Sequence, residues 1–177
     1  MFKKVVVMLT GTAMVVGAAY ACEEHQHQES HHHHHHASSH SQTIDKAVEV
    51  SKLPEAKGLE VTDCWIRLMP KKFPSSAYFK LTNTSNEDKH IHDVYSLDFG
   101  HSEYHTTKVV DGKMKMEKLT HFDIKPGQTV SFEPKGNHVM LMKSKGTLQV
   151  GDKAHLIILQ KDAKVSADCV VKEPGTL

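Results

Sequence analysis

The chain has 177 residues, with 22 Lys+Arg against 21 Asp+Glu and 38% hydrophobic residues. That is one ordinary domain plus appendages, since a single core takes ~100–150 residues. The even charge balance excludes both a disordered polyelectrolyte and the basic footprint of a nucleic-acid binder. The departure from ordinary composition is histidine: 16 residues, nine of them between His25 and His40, beside eight Met and three Cys. Imidazole with thioether is a soft donor supply suited to copper, Cu(I) above all.

In chain order, Lys3 and Lys4 precede a mostly apolar run from Val5 that ends in the small residues of Ala19-Tyr20-Ala21. Charged, apolar, then small is the order of a secretory signal, so residues 1–21 are set apart from the fold and the chain is expected to be exported. A membrane span is disfavoured, because Thr10, Gly11, Thr12 and Gly17 interrupt the run and a span needs ~20 apolar residues. Cleavage after Ala21 is the expected outcome; lipid attachment at Cys22, the sole route to a membrane here, stays open.

Residues 22–56 read as a disordered His-rich tail and linker. His25, His27, His31, His32, His33, His34, His35, His36 and His40 lie among Glu, Gln and Ser, with nothing apolar to offset the ~1–2 kcal/mol per residue that ordering a backbone costs. Such a tail is a low-affinity collector of Cu(II), Zn or Ni. A six-histidine run also has the form of an affinity tag, and that reading stays open. Residues 43–56 form a linker with some helical character, ending at Pro54.

From residue 57 to 177 the pattern changes to short β-type runs separated by turn signals. Nine strands are expected: Val61 to Leu68, Ala77 to Leu81, His90 to Phe99, Tyr104 to Val110, Met116 to Ile124, Thr129 to Phe132, His138 to Met142, Ala154 to Gln160 and Val165 to Val171. Breaks such as Asp111-Gly112 and Pro126-Gly127 punctuate them. Many short strands without helical periodicity predict an all-β Greek-key sandwich or barrel.

Chemistry concentrates between His105 and Met140. His138 and Met140 stand two apart, so on a strand both leave one face while Val139 and Leu141 point the other way. A two-residue hairpin loop at Asp111-Gly112 would set His105 within one diagonal step of Met116. Two imidazoles and two thioethers favour Cu(I) and hold hard cations poorly. A blue-copper site would need a Cys in the cluster, and Cys64 and Cys169 lie outside it. His121 and His155 read as surface or hydrogen-bonded histidines. No nucleophile with a base, and no metalloprotease helix, is spaced for catalysis, so no enzyme is expected. Cys64 falls in the first expected strand and Cys169 in the last, strands that often meet when a sandwich closes; a disulfide between them is expected in an oxidising compartment, with two isolated core cysteines as the alternative.

The spacing His105-x10-Met116-x21-His138-x-Met140 resembles the motif of the periplasmic Cu(A) copper chaperone family PCuAC. The likeness extends to Cys64-Trp65-Ile66-Arg67, Ser76-Ala77-Tyr78-Phe79, Gly151-Asp152-Lys153 and Leu156-Ile157-Ile158-Leu159. The resemblance implies a cupredoxin-like fold and one Cu(I) on the four motif residues. It further implies copper delivery toward the Cu(A) subunit of cytochrome c oxidase, alongside Sco-type thioredoxin-like copper proteins. The competing expectation is a periplasmic protein that buffers copper or zinc without targeted transfer.

Overall fold

The computed structural model describes residues 46–176. The expected export signal, Cys22 and the histidines from His25 to His40 lie outside the described residues. A short helix α1 (46–52) precedes eleven strands: β1 (Leu59–Arg67), β2 (Ser75–Asn83), β3 (Lys89–Ile91), β4 (Asp93–Ser96), β5 (Phe99–Val110), β6 (Lys113–Lys118), β7 (Phe122–Ile124), β8 (Thr129–Phe132), β9 (His138–Ser144), β10 (Lys153–Leu159) and β11 (Lys164–Lys172). Among the described residues no helix is long and apolar enough to cross a membrane.

Nine strands form one sheet in the order β4-β10-β11-β1-β2-β9-β5-β6, with β8 also paired to β2, while β3 and β7 make a separate two-stranded ribbon. The sheet folds back on itself. Ser102 in β5 donates to the Val94 carbonyl of β4 at 2.9 Å and Tyr104 donates to the Asp93 carbonyl at 3.2 Å, although β4 and β5 stand near opposite ends of the strand order. Between the layers lie Phe79, Leu81, Phe99, Tyr104, Phe132, Val139, Leu156 and Ile158, all buried. Alternation explains the choice: on β9 Val139 and Leu141 are buried, whereas Met140 and Met142 are only partly covered.

The all-β sandwich is as expected, but two strand boundaries are corrected. The run from His90 to Phe99 is split, because Lys89–Ile91 pairs with β7 while Asp93–Ser96 pairs with β10. The run from Met116 to Ile124 is split likewise, its first part closing a hairpin with β5 and its last joining the ribbon. Composition signals extended backbone but not a change of partner. The linker also ends earlier than expected. From residue 46 the chain belongs to the folded body: Val50 is buried against Tyr95, Ile157 and Leu159, and Glu55 bridges to Lys164.

The first and last strands of the sheet, β1 and β11, run side by side in parallel, with Trp65 opposite Val170. Cys64 and Cys169 are joined across this seam by a disulfide, Cα to Cα 4.5 Å, closing a stretch of 105 residues.

Candidate metal centre

Strand β5 is the spine of the site, with β9 on one side and β6 on the other. His105 lies directly opposite His138 of β9, and Glu103 opposite Met140. On the hairpin side His105 faces Lys118, and Met116 faces Thr107, two residues along on the same face of β5. The hairpin turns through Asp111 (φ 51°) and Gly112 (φ 73°), the left-handed pair that a two-residue turn requires. His105, Met116, His138 and Met140 therefore leave one face of three adjacent strands: the two histidines share a rung, and the methionines stand one rung away from it on opposite sides. Sequence alternation and turn length had placed each pair; the structure joins the two pairs.

Hydrogen bonding fixes which nitrogen each imidazole offers. The Nε2 of His105 lies 3.2 Å from Glu103 Oε2. A carboxylate accepts only, so Nε2 carries the proton and the lone pair sits on Nδ1. That Nδ1 is buried and, among the described residues, is the one buried side-chain nitrogen or oxygen without a hydrogen-bond partner. A buried lone pair left unmatched costs free energy unless something occupies it, and a soft cation fits. His138 is the mirror case: Nδ1 lies 3.1 Å from the Gly136 carbonyl, so Nδ1 donates and Nε2 keeps its lone pair. The two rings stack at 5.8 Å between centroids.

Burial lowers the pKa of the His138 imidazole; the Gly136 carbonyl opposes this, and His105 and Arg67 add to it. A ring kept neutral is a ring ready to bind metal. The Lys118 ammonium foremost, 2.5 Å from Oε1, and then His101 hold the Glu103 carboxyl down at about 2, with burial pulling the other way and His105 adding to the lowering. Glu103 is thus an anion that orients His105 from behind, the outer-sphere role that metal-binding histidines commonly require. Sequence reading gives Glu103 no role in the site; its position two before His105 on a strand was the available signal.

The thioethers complete the candidate donor set. Met140 is partly covered and Met116, on the edge strand, is 51% exposed. Among the described residues no three His, Cys, Asp or Glu side chains converge as a metal site, so an ion on this face would depend on methionine sulfur. Two neutral imidazoles and two thioethers suit Cu(I) in charge and softness. The other histidines named from sequence are elsewhere: His121 is exposed beside Thr120, and His155 sits between Asp98 and Asp168 on the surface.

Solved structures share this fold. The apo PCuAC domain of PmoF2 superimposes with a TM-score of 0.56 at 20% identity, covering 68% of this chain and 94% of that one. A copper-bound PCuAC domain from PmoF2 matches with a TM-score of 0.55 at 19% identity, over 69% of this chain and 98% of that one. The apo PCuAC domain of PmoF1 gives 0.55 at 20%, over 69% and 99%. In sequence, the protein RP573 of Rickettsia prowazekii (strain Madrid E), described as uncharacterized, is 30% identical over 115 residues, which are 62% of this chain and 64% of that relative's length. The family model described as "Putative lipoprotein LpqE-like" matches residues 59–169, which hold β1 to β10, all four motif residues and both bonded cysteines. That match takes in most of the chain, and the chain belongs to the LpqE-like family.

Proposed function

We propose that this protein is an exported Cu(I) carrier, with His105, Met116, His138 and Met140 binding one ion as cargo and no catalytic role. The observation that carries the reading is the buried, unpartnered Nδ1 of His105 facing His138, with one methionine on each flanking strand of the same face. The copper-bound PmoF2 domain, which shares the fold, supports it. Neutral donors hold Cu(I) without adding charge, and an exposed Met116 is a ligand that can leave. Both properties suit a carrier more than a permanent site.

The recipient we propose is the Cu(A) centre of cytochrome c oxidase in the periplasm, reached alongside Sco-type proteins. The tail from His25 to His40 would collect Cu(II), Zn or Ni for the folded domain. The family's lipoprotein name favours lipid attachment at Cys22, which would hold the carrier at the membrane where oxidases reside. Loading the protein with Cu(I) under anaerobic conditions and mixing it with an isolated Cu(A) domain tests delivery. Stoichiometric transfer supports the carrier; retention against that domain, at any ratio, leaves a copper buffer instead.

A further inference from the structure

The face that carries the four motif residues does not stop at them. Strands β5 and β9 make three successive rungs on it: His105 opposite His138, Glu103 opposite Met140, and His101 opposite Met142. Glu103 stands in the middle and holds an imidazole on either side. Its Oε2 takes Nε2 of His105 at 3.2 Å and its Oε1 takes Nε2 of His101 at 3.0 Å. The orientation that makes His105 a ligand through Nδ1 is therefore imposed on His101 as well.

We propose that His101 and Met142, with Met140 shared, form a second and weaker Cu(I) position through which the ion passes between the four-ligand site and the outside. This rests on the reading that the four-ligand site takes Cu(I). Side chains directly across a strand pair have Cβ atoms about 4.5–5.5 Å apart, and successive positions on one face are about 6.8 Å apart along the strand. The flexible thioether of Met140 can reach from its own rung to either neighbour. One imidazole and two thioethers hold Cu(I) less tightly than two of each, so the second position is a step on a path and not a competing store.

Surroundings agree with an exit. His101 is 52% exposed, against 12% for His105. Together with Glu103, Lys118, His92 and Thr120 it lines a surface cavity of about 590 Å³, room for an incoming ligand from a recipient. One residue back, Gly100 approaches Lys143 so closely that a Cβ would stand 3.0 Å from the Lys143 Cβ. This close approach pins β5 against β9 just beyond the third rung. The transfer itself is ligand exchange: bonds from copper to His105, His138 and Met116 break as bonds to His101 and Met142 form, and no electron moves.

The test uses full-length protein carrying 13C in its methionine methyl groups and Cu(I) supplied anaerobically with a competing chelator. Between Cys22 and the domain there is no methionine, so the histidine tail is silent in this readout. Expected are two phases: the methyls of Met116 and Met140 shift first, and that of Met142 shifts as a second ion is added, which His101 and Met142 hold while Met140 is engaged by the first. In His101→Asn the Met142 methyl no longer responds, Met116 and Met140 keep their midpoints within about twofold, and release to a strong chelator slows by about tenfold, the scale of outer-shell effects. Met142→Leu slows release to the same degree. A Met142 methyl that stays still through both phases, or moves equally in His101→Asn, overturns the second position while the first stands. Silent Met116 and Met140 methyls overturn the four-ligand reading itself.

Discussion

The β1–β11 seam and the β5–β6 hairpin are built from the same kind of strand and are held in opposite ways. At the seam both strands have neighbours on each side, Ile66 and Val171 are buried, and a disulfide ties the first strand to the last. At the hairpin β6 ends the sheet, and Val109, Met114 and Met116 stand 73%, 62% and 51% exposed. Stability in a fold is unevenly spread, and mobile functional elements come from its weak end. The two imidazoles lie on the β5–β9 pair inside the sheet, while one thioether lies on the exposed edge strand. On the proposed reading, such a site would keep its shape without copper and still open at its edge to give the ion away.

Breaking the seam is expected to have the largest effect. Replacing Cys64 and Cys169 together with Ser removes a cross-link over 105 residues and should lower stability by ~4–5 kcal/mol, read as a fall in the unfolding midpoint. Cu(I) affinity of the protein still folded should change by less than about twofold, since distant sites act independently. Affinity falling in step with stability would show seam and site to be one unit, and the contrast would be lost.

Changes at the site should do the reverse. Met116→Leu alters a half-exposed side chain and should leave stability within ~0.5 kcal/mol. Its Cu(I) affinity should fall by more than the ~10–100-fold typical of losing an outer-shell partner. His105→Ala should match that loss in affinity, and because the His105 ring is largely buried and stacked on His138 it should also cost stability, so its affinity is read on the protein still folded. Wild-type affinity in both variants, measured against a competing chelator, would remove these residues from the donor set.

What could be read from sequence divides along similar lines. His138 and Met140 on one face, and His105 a diagonal step from Met116, follow from strand alternation and an Asp-Gly loop, both local. That His138 lies opposite His105 depends on which strand docks beside β5, a pairing over more than thirty residues that no local signal encodes. The partner changes that split His90–Phe99 and Met116–Ile124 are of the same kind. So is the packing of Val50 on Ile157, which made structure of an expected linker. Glu103 was visible but had no known partner until Lys118, His101 and His105 were brought to it.

The hairpin's own weakness can be deepened. Gly112 has φ 73° with nothing within 4 Å of where a Cβ would stand, so Gly112→Ala meets no clash and costs only the left-handed backbone, ~1 kcal/mol. Amide exchange should quicken over Lys113–Lys118 and stay unchanged at β1 and β11. Because affinity follows the fraction of hairpin that is closed, Cu(I) affinity should drop by less than the roughly fivefold equivalent of that energy if closure is already favoured, and by no more than about fivefold in any case. A drop larger than about fivefold would mean that Gly112 acts on the site by more than closing the hairpin.

The smallest expected effect is at the bulge beside the seam. Between Thr62 and Trp65 the pairing of β1 with β2 slips, and Asp63 adopts φ 54° there. Its carboxylate accepts from Lys80 Nζ at 2.8 Å, and that hydrogen bond, then the lysine's charge, lowers the Asp63 pKa below its ordinary 3.8. A carboxyl whose folded pKa lies below its unfolded one adds stability above the unfolded value and loses it as pH falls past 3.8 toward the folded one. Both partners are more than half exposed, so the gain is small and screened by salt. Asp63→Asn keeps a side chain that tolerates the left-handed backbone and removes only the charge. Its deficit against wild type should be measurable at neutral pH and low salt, then vanish both in acid and in ~1 M salt, where the Debye length is ~3 Å. Asp63→Ala should keep a deficit under every condition, because the backbone cost has no charge to titrate. An Asn variant whose deficit persisted in acid would mean that the bulge, and not the ion pair, sets the stability beside Cys64.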